Sequence, residues 1–389
     1  MDLKFSDNLK YFQTGIFNVL NDKKAEMLRE GRTVYNLSVG TPDFEPDRHI
    51  VDALIEAAKD PENWKYSLGD MPSLLEAVAG FYKGRFGADI GTDEIMSLYG
   101  SQEGLTHIGF SLCNRGDVVL VPNPGYPIFE IGPYLSGAEL AFYPLLPENR
   151  YLPDLDSIPE ETLARAKFML VSYPMNPVCA TAPMEFYEKL VAFAKRNNII
   201  IIHDNAYSDI VYDGETGGSF LSVDGAKEVG VEFYSLSKSY NMTGARISFV
   251  LGNSEIIRNF KMLRSQIDYG IFKPIQYAAI AALTGPQESV RKNCLEYQKR
   301  RDALCDGLTS LGWSVPRSSG SMFVWAGIPE KFKSSTEFCT ELMERTGVIC
   351  TPGNAFGTLG EGYVRFALVL PVGVIDEAVE SIRKSGILG

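Results

Sequence analysis

The sequence predicts an α/β protein, with a large domain built on a mainly parallel sheet between helices and a smaller α+β domain after it. Three observations carry this. Short apolar runs alternate with longer helical patterns along most of the 389 residues, the arrangement of a parallel sheet covered on both faces. Each run ends in a turn or a polar loop. After about residue 275 the texture changes to turns and strands between helices. The segment 1–45 is too short and irregular for a domain and is expected to pack on the C-terminal one. The expected division is therefore 46–280 for the large domain and 281–389 for the small one.

The elements follow in order. "EIMSLY" (94–99) is strand-like and opens into a helix at 102–113. "DVVLVPNPGY" (117–126) and "KFMLVSYPMNP" (167–177) are buried strands running into turns, with a helix at 183–197 after them. "NIIIIHDNAY" (198–207), "VEFYSLSK" (231–238) and "ARISFVLG" (245–252) repeat the pattern, and a helix covers 253–266. A long helical pattern spans roughly 286–311, and a helix at 374–385 closes the chain. In such sheets ligands bind beyond the carboxyl ends of the strands. The polar residues that follow the apolar runs are thus expected along one edge.

Composition narrows the function. Thirty-seven basic against forty-nine acidic side chains give a net charge of −12, which argues against non-specific binding to nucleic acid or anionic lipid. The longest pure apolar run of interest is the "IIII" at 199–202, far short of a membrane span, and the N-terminus has no signal-peptide core. Six cysteines without a C-x-x-C pair make a disulfide framework or a zinc site improbable, with a reducing cytoplasm as the default. Three scattered histidines match no metal motif, so no metal is expected.

Individually, the candidate residues have bland explanations. Asp204, at the end of a buried strand, could be a turn or helix cap, or a carboxylate held where burial demands a cationic partner. Tyr207 lies three residues on and points the same way if a helical turn begins there. Asn176 alone is a turn residue. Ser101 and Gln102 open a helix and could cap it or cradle an anion. Tyr126 covers a core edge or stacks on a planar ligand. Lys238, after a strand, would ordinarily be a solvated charge. Here Ser235 and Ser237 precede it and Arg246 follows, and hydroxyls with a guanidinium are what a phosphate monoester needs. A lysine beside a phosphate site, with a carboxylate and a tyrosine on a neighbouring strand end, is the set that pyridoxal phosphate requires.

The whole chain resembles the class I and II aminotransferases of the fold-type-I pyridoxal-phosphate family. "SLSKSYNMTGARIS" is similar to that family's signature around the cofactor lysine, "HDNAY" to its Asp-x-x-Tyr strand end, and "SYPMNP" to its Asn-Pro motif. "NPGYPIF", "KYSLGDMPSLLEAVAGFY" and "GYVRFAL" match further segments in family order, from about residue 35 to 370. The resemblance implies Lys238 as the Schiff-base lysine and general acid and base, with Asp204 on the pyridinium nitrogen. It implies Tyr207 and Asn176 on the ring oxygen and Tyr126 stacked on the ring. Ser101, Gln102, Ser235, Ser237 and Arg246 would hold the phosphate. Tyr66 would reach the phosphate of a neighbouring subunit, which implies a homodimer with shared sites. Arg365, with the backbone near Gly40, would grip the substrate α-carboxylate. The implied reaction is ping-pong transfer of an amino group from an L-amino acid to a 2-oxo acid, with 2-oxoglutarate the expected acceptor.

Within the family, "SLSKSYNMTG", "YSLGDMPSL" and "FGTLGEGYVR" look most like the LL-diaminopimelate, aspartate and alanine aminotransferase branch. Gln102 departs from the lysine common in the diaminopimelate enzymes. Ala245 stands where many relatives have tryptophan, and Met175 and the "VCA" after Pro177 depart from the usual Asn-Pro segment. None of these removes a catalytic group. Cys179 is expected to be a small buried filler. Two alternatives share the residues: a β-eliminating C–S lyase, and a non-catalytic regulator that kept the fold. The second predicts a DNA-binding module or a missing lysine, and the sequence shows neither.

Overall fold

The computed structural model describes residues 1, 3–12 and 16–389. Residues 2 and 13–15 of the N-terminal segment lie outside the described residues, so its expected packing is described only for the rest. The chain divides into two compact units, Met1–Gly40 with Lys299–Ser318 and Met322–Gly389, and Thr41–Gln298 with Ser319–Ser321. The division after Gln298 falls inside the helix Glu288–Ser310, which runs through position 298 without a break. Sequence texture places it near 280, where the apolar pattern changes rather than where the units part.

In the larger unit, seven strands among the described residues form one sheet. Its order is Ile95–Leu98, Ser248–Gly252, Gly230–Ser235, Ile200–Asp204, Ala166–Ser172, Val118–Asn123 and Glu139–Pro144. The last four ladders are parallel, and the two that involve Ser248–Gly252 are antiparallel. Central strands such as Ile200–Asp204 and Gly230–Ser235 are rich in β-branched and aromatic residues and nearly all buried, whereas the edge strand Glu139–Pro144 leaves most of its residues partly exposed. That edge strand is absent from the sequence reading, although its "LAFY" is a short apolar run.

Ser248–Gly252 is antiparallel for a local reason. Only the turn Leu236–Ser239 and the 3-10 turn Thr243–Ala245 separate it from Gly230–Ser235, with no crossover helix to carry the chain back. The helices have ordinary boundaries. Pro72 opens Pro72–Phe86, which ends at Gly87 with φ +69°. Asn253 caps Ser254–Arg264 by accepting from Glu255 N and Ile256 N, both at 3.1 Å.

The smaller unit has a three-stranded antiparallel sheet, Thr351–Pro352, Tyr363–Ala367 and Phe323–Gly327. Tyr35–Asn36 pairs in parallel with Val348–Ile349, and Leu20 and Met27 pack in one buried cluster with Met343 and Ile349. Trp313 packs against the rings of Phe338 and Phe366, with centroids 5.1 and 5.9 Å away.

Candidate active site

The sheet register gathers one edge of the larger unit. Leu98 pairs with Ser248, Ser248 with Ser235, Phe233 with Asp204, and Asp204 with Ser172. Ser101 and Gln102 follow the first of these strand ends, Lys238 the third, Tyr207 the fourth and Asn176 the fifth. Tyr126 follows Asn123 at the end of the next strand. Arg246 reaches the same edge from the opposite direction, because Ser248–Gly252 runs antiparallel and so begins there. Eight predicted cofactor residues and Arg246 thereby share one sheet edge.

The local chemistry is that of an anion cradle beside a buried carboxyl. Ser101 begins the helix Ser101–Leu112, and its buried Oγ has no hydrogen-bond partner among the described residues. Gly100, at φ +88°, precedes it, and a β-carbon there would run into the Arg246 guanidinium. Glycine is needed at this position both for its dihedral and for that close approach. The exposed Arg246 donates from Nη1 to Thr243 O at 3.0 Å and from Nη2 to Tyr99 O at 3.4 Å. Ser235 caps the turn Leu236–Ser239 by accepting from Ser237 N at 3.2 Å, so Ser235, Ser237 and Lys238 are held on one helical turn. Tyr126 Oη lies 3.5 Å from Gln102 Oε1.

Asp204 is 7% exposed. Ala206 N–H hydrogen-bonds the carboxyl, while Oδ1 is buried with no partner among the described residues. Burial raises its pKa from 3.8 to about 7, against the lowering effects of His203 and the Ala206 N–H. Tyr207 and Asn176 are buried as well.

A polar network beneath Asp204 escaped the sequence reading. Glu232 is fully buried and accepts from five donors: Tyr82 Oη at 2.7 Å, His203 Nδ1 at 2.8 Å, Asn205 Nδ2 at 3.1 Å, Ser219 Oγ at 2.8 Å and Phe220 N at 2.8 Å. His203 and Asn205 flank Asp204, so alternation along the strand sends them to the face opposite it. The available signal was a glutamate inside the apolar run "VEFY", one strand from a histidine inside "IIIIHD". Asp209 was missed as well. It accepts from Ser239 Oγ at 2.6 Å and Tyr234 Oη at 2.7 Å, which ties the residue after Lys238 in place.

Gly40 and Arg365 belong to the smaller unit. Arg365 lies on Tyr363–Ala367, is 2% exposed and donates from Nη2 to Ser38 O at 2.7 Å. Its guanidinium carbon stands 4.1 Å from the Phe323 ring centroid and 4.6 Å from that of Phe356. A side chain at Gly40 would strike the Phe323 ring. Tyr66, by contrast, is 80% exposed and meets the Tyr269 ring at 5.1 Å. Cys179 is buried, its thiol 3.0 Å from Pro177 O, in the place of a small filler.

The sequence of aminotransferases of class I and II, taken as a family model, matches residues 32–382. The chain belongs to the class I and II aminotransferases. The LL-diaminopimelate aminotransferase of Halothermothrix orenii is 43% identical over 98% of this chain and 98% of its own. That of Aquifex aeolicus is 42% identical over 98% of each. Among solved structures, substrate-bound BacF from Bacillus subtilis superposes with a TM-score of 0.95 at 37% identity, covering 99% of this chain and 98% of that one. A mutant aspartate aminotransferase from Thermus thermophilus gives a TM-score of 0.92 at 26% identity, over 99% and 100%.

Aminotransferases of this family use pyridoxal phosphate to exchange an amino group between a small amino acid and a 2-oxo acid. The residues present fit that group. A partnerless Asp204 Oδ1 suits a protonated ring nitrogen, and the partnerless Ser101 Oγ beside Arg246 suits a phosphate. Among the described residues, no helix is long and apolar enough to cross a membrane.

Proposed function

We propose that this aminotransferase takes LL-diaminopimelate as amino donor and 2-oxoglutarate as acceptor, with Lys238 as its reacting amine. The observation that carries the site assignment is the buried, partnerless Oδ1 of Asp204 on the same sheet edge as Lys238. Full-length similarity to relatives named LL-diaminopimelate aminotransferase, at 43% and 42% identity, supports the donor.

Bound pyridoxal phosphate supplies a sink for the electron pair released when the substrate Cα–H bond breaks. The chain's own residues do the rest. Ser101, Gln102, Ser235, Ser237 and Arg246 bind the phosphate, whose charge the first turn of Ser101–Leu112 also favours. Asp204 Oδ1 holds a proton on the ring nitrogen, and Tyr207 and Asn176 orient the ring through its oxygen. Tyr126 covers the ring face. Lys238 Nζ takes the proton from Cα of the donor, and in the second half-reaction delivers one to Cα of the new amino acid. Arg365 receives the α-carboxylate, with its guanidinium oriented by Ser38 O and the two phenylalanine rings, and the backbone at Gly40 assists.

A homodimer completes the reading. Trp64, Tyr66, Leu68, Met262 and Tyr269 are 57–82% exposed on the larger unit, more aromatic and apolar surface than scattered residues would leave. Tyr66 then serves the partner copy's phosphate. The reducing cytoplasm is the proposed location, supported by six sparse cysteines with no C-x-x-C pair.

A donor screen against 2-oxoglutarate, with LL-diaminopimelate, aspartate, alanine and aromatic amino acids, tests the substrate. LL-diaminopimelate is expected to give the highest kcat/KM, and a higher value for another donor overturns that choice. Release of pyruvate and ammonia from cysteine thioethers, without stoichiometric amino exchange, would overturn transamination itself. Lys238→Ala is expected to abolish turnover, and wild-type turnover in that variant removes Lys238 from its role.

A further inference from the structure

Helix Pro72–Phe86, the loop 208–217 and the chain at 283–298 enclose a cleft of about 850 Å³ within the larger unit. It contains none of the residues assigned above to cofactor or substrate. Its volume lies in the range of small-molecule sites, roughly 300–1,000 Å³. Ala77, Phe81, Leu283 and Leu295 give it apolar walls.

Its charge is lopsided. Glu76, Asp209 and Glu215 line it, against Arg85 and Arg291. Both arginines already have carboxylates: Arg85 Nε lies 3.4 Å from Asp209 Oδ1, and Arg291 Nη2 lies 2.8 Å from Glu288 Oε2. Glu76 and Glu215, at the exposed rim, have no ion pair among the described residues. The open charge of the cleft is therefore negative.

One further observation bears on an occupant. Gly80 and Gly84, one turn apart on Pro72–Phe86, also line the cleft, and a β-carbon on either would meet nothing within 4 Å among the described residues. Glycine inside a helix is destabilising, and here no internal packing requires it.

The floor of the cleft connects to the reacting lysine. Asp209 Oδ2 accepts from Ser239 Oγ at 2.6 Å, and Ser239 follows Lys238 on the turn Leu236–Ser239. A cation drawn into the cleft by Glu76 and Glu215 that reaches Asp209 would compete with Arg85 and that hydroxyl for the carboxylate and loosen the turn.

We propose that this cleft binds a small organic cation with an apolar body, and that its occupancy slows proton transfer at Lys238. The binding stands without the reading of Lys238, and only the coupling rests on it. Cys294, half-buried, lines the cleft and reports on it directly. The probe is benzyltrimethylammonium, which has no N–H and cannot condense with the cofactor's aldehyde; the aromatic anion toluenesulfonate is the control. Alkylation of Cys294 by iodoacetamide in the holoenzyme is followed by peptide mass spectrometry, with no substrate present. The cation is expected to slow it saturably, by about tenfold at ten times its dissociation constant, while the sulfonate leaves it unchanged. Turnover should fall with the same half-saturating concentration. Gly80→Leu and Gly84→Leu, which fill the wall, should remove both effects and keep turnover without probe. Unprotected Cys294, equal protection by the sulfonate, or protection that persists in both glycine variants overturns the site. Protection with unchanged turnover overturns the coupling to Lys238.

Discussion

Asp204 carries a cost that its strand neighbours do not, and that cost makes its chemistry measurable. Its carboxyl titrates at about 7 in the folded chain, raised by burial from 3.8. Between those values the folded chain keeps a proton that the unfolded chain has lost. The cofactor-free protein should therefore lose stability as pH rises from about 4 to 7, with no further change from this group above that window. Asp204→Asn removes the ionisation and should flatten that part of the profile. The variant should unfold at higher denaturant than the parent at about pH 8, although turnover falls by about a hundredfold or more. Urea unfolding across this pH range checks it, and an unaltered slope in the variant would show that Asp204 is not the group responsible. Added pyridoxal phosphate should stabilise the parent more than the variant at the upper end, because a ring cation meets Asp204 Oδ1 only when that oxygen is charged.

At the scale of elements, the strands Ile200–Asp204 and Gly230–Ser235 are joined by more than their ladder. Glu232 binds His203 and Asn205, the neighbours of Asp204, and is itself anchored by Tyr82, Ser219 and Phe220 N. Burial would raise its pKa, but the hydrogen bond and charge of His203, with Tyr82 and Asn205, outweigh burial and hold it below the ordinary range. Glu232→Ala strands these donors in the core and should cost about 3–5 kcal/mol, read from denaturant unfolding. Glu232→Gln keeps an acceptor and should cost less. An alanine variant as stable as the parent would refute the network's structural weight. The turn into Ser101–Leu112 gives a second test. Gly100→Ala meets both the φ of +88° and the Arg246 guanidinium, so it should weaken pyridoxal phosphate binding by roughly tenfold. Titration of cofactor into the cofactor-free variant measures this, and an unchanged dissociation constant would mean that Arg246 does not hold the phosphate.

For the whole molecule, shared sites predict complementation between two dead variants. Lys238→Ala and Tyr66→Ala chains, refolded together, should form mixed dimers with one intact site each. Activity should recover to roughly a quarter of the parent's, since half the dimers are mixed; no recovery would confine each site to one chain. Much of this architecture was legible in advance. The strand-and-helix alternation and the ordered motifs from "KYSLGDMPSL" to "GYVRFAL" mark the fold and the reaction class, because both are written in local residue types. The end of each apolar run also marks where Asp204, Lys238 and Asn176 fall, since a parallel sheet collects strand ends at one edge. Other features depend on pairings distant in sequence. The antiparallel entry of Ser248–Gly252 brings Arg246 against Gly100, 146 positions away. Glu232 meets Tyr82 across 150 positions. The cleft beside Asp209 is made of segments between residues 76 and 298. Sequence by itself determined the fold class and the reaction class, since these follow from local periodicity and from ordered motifs. Tertiary structure alone decided which carboxylates share a buried network, which oxygen is left without a partner and where a second cleft opens. Partnership and burial are properties of packed neighbours, and local sequence does not specify them.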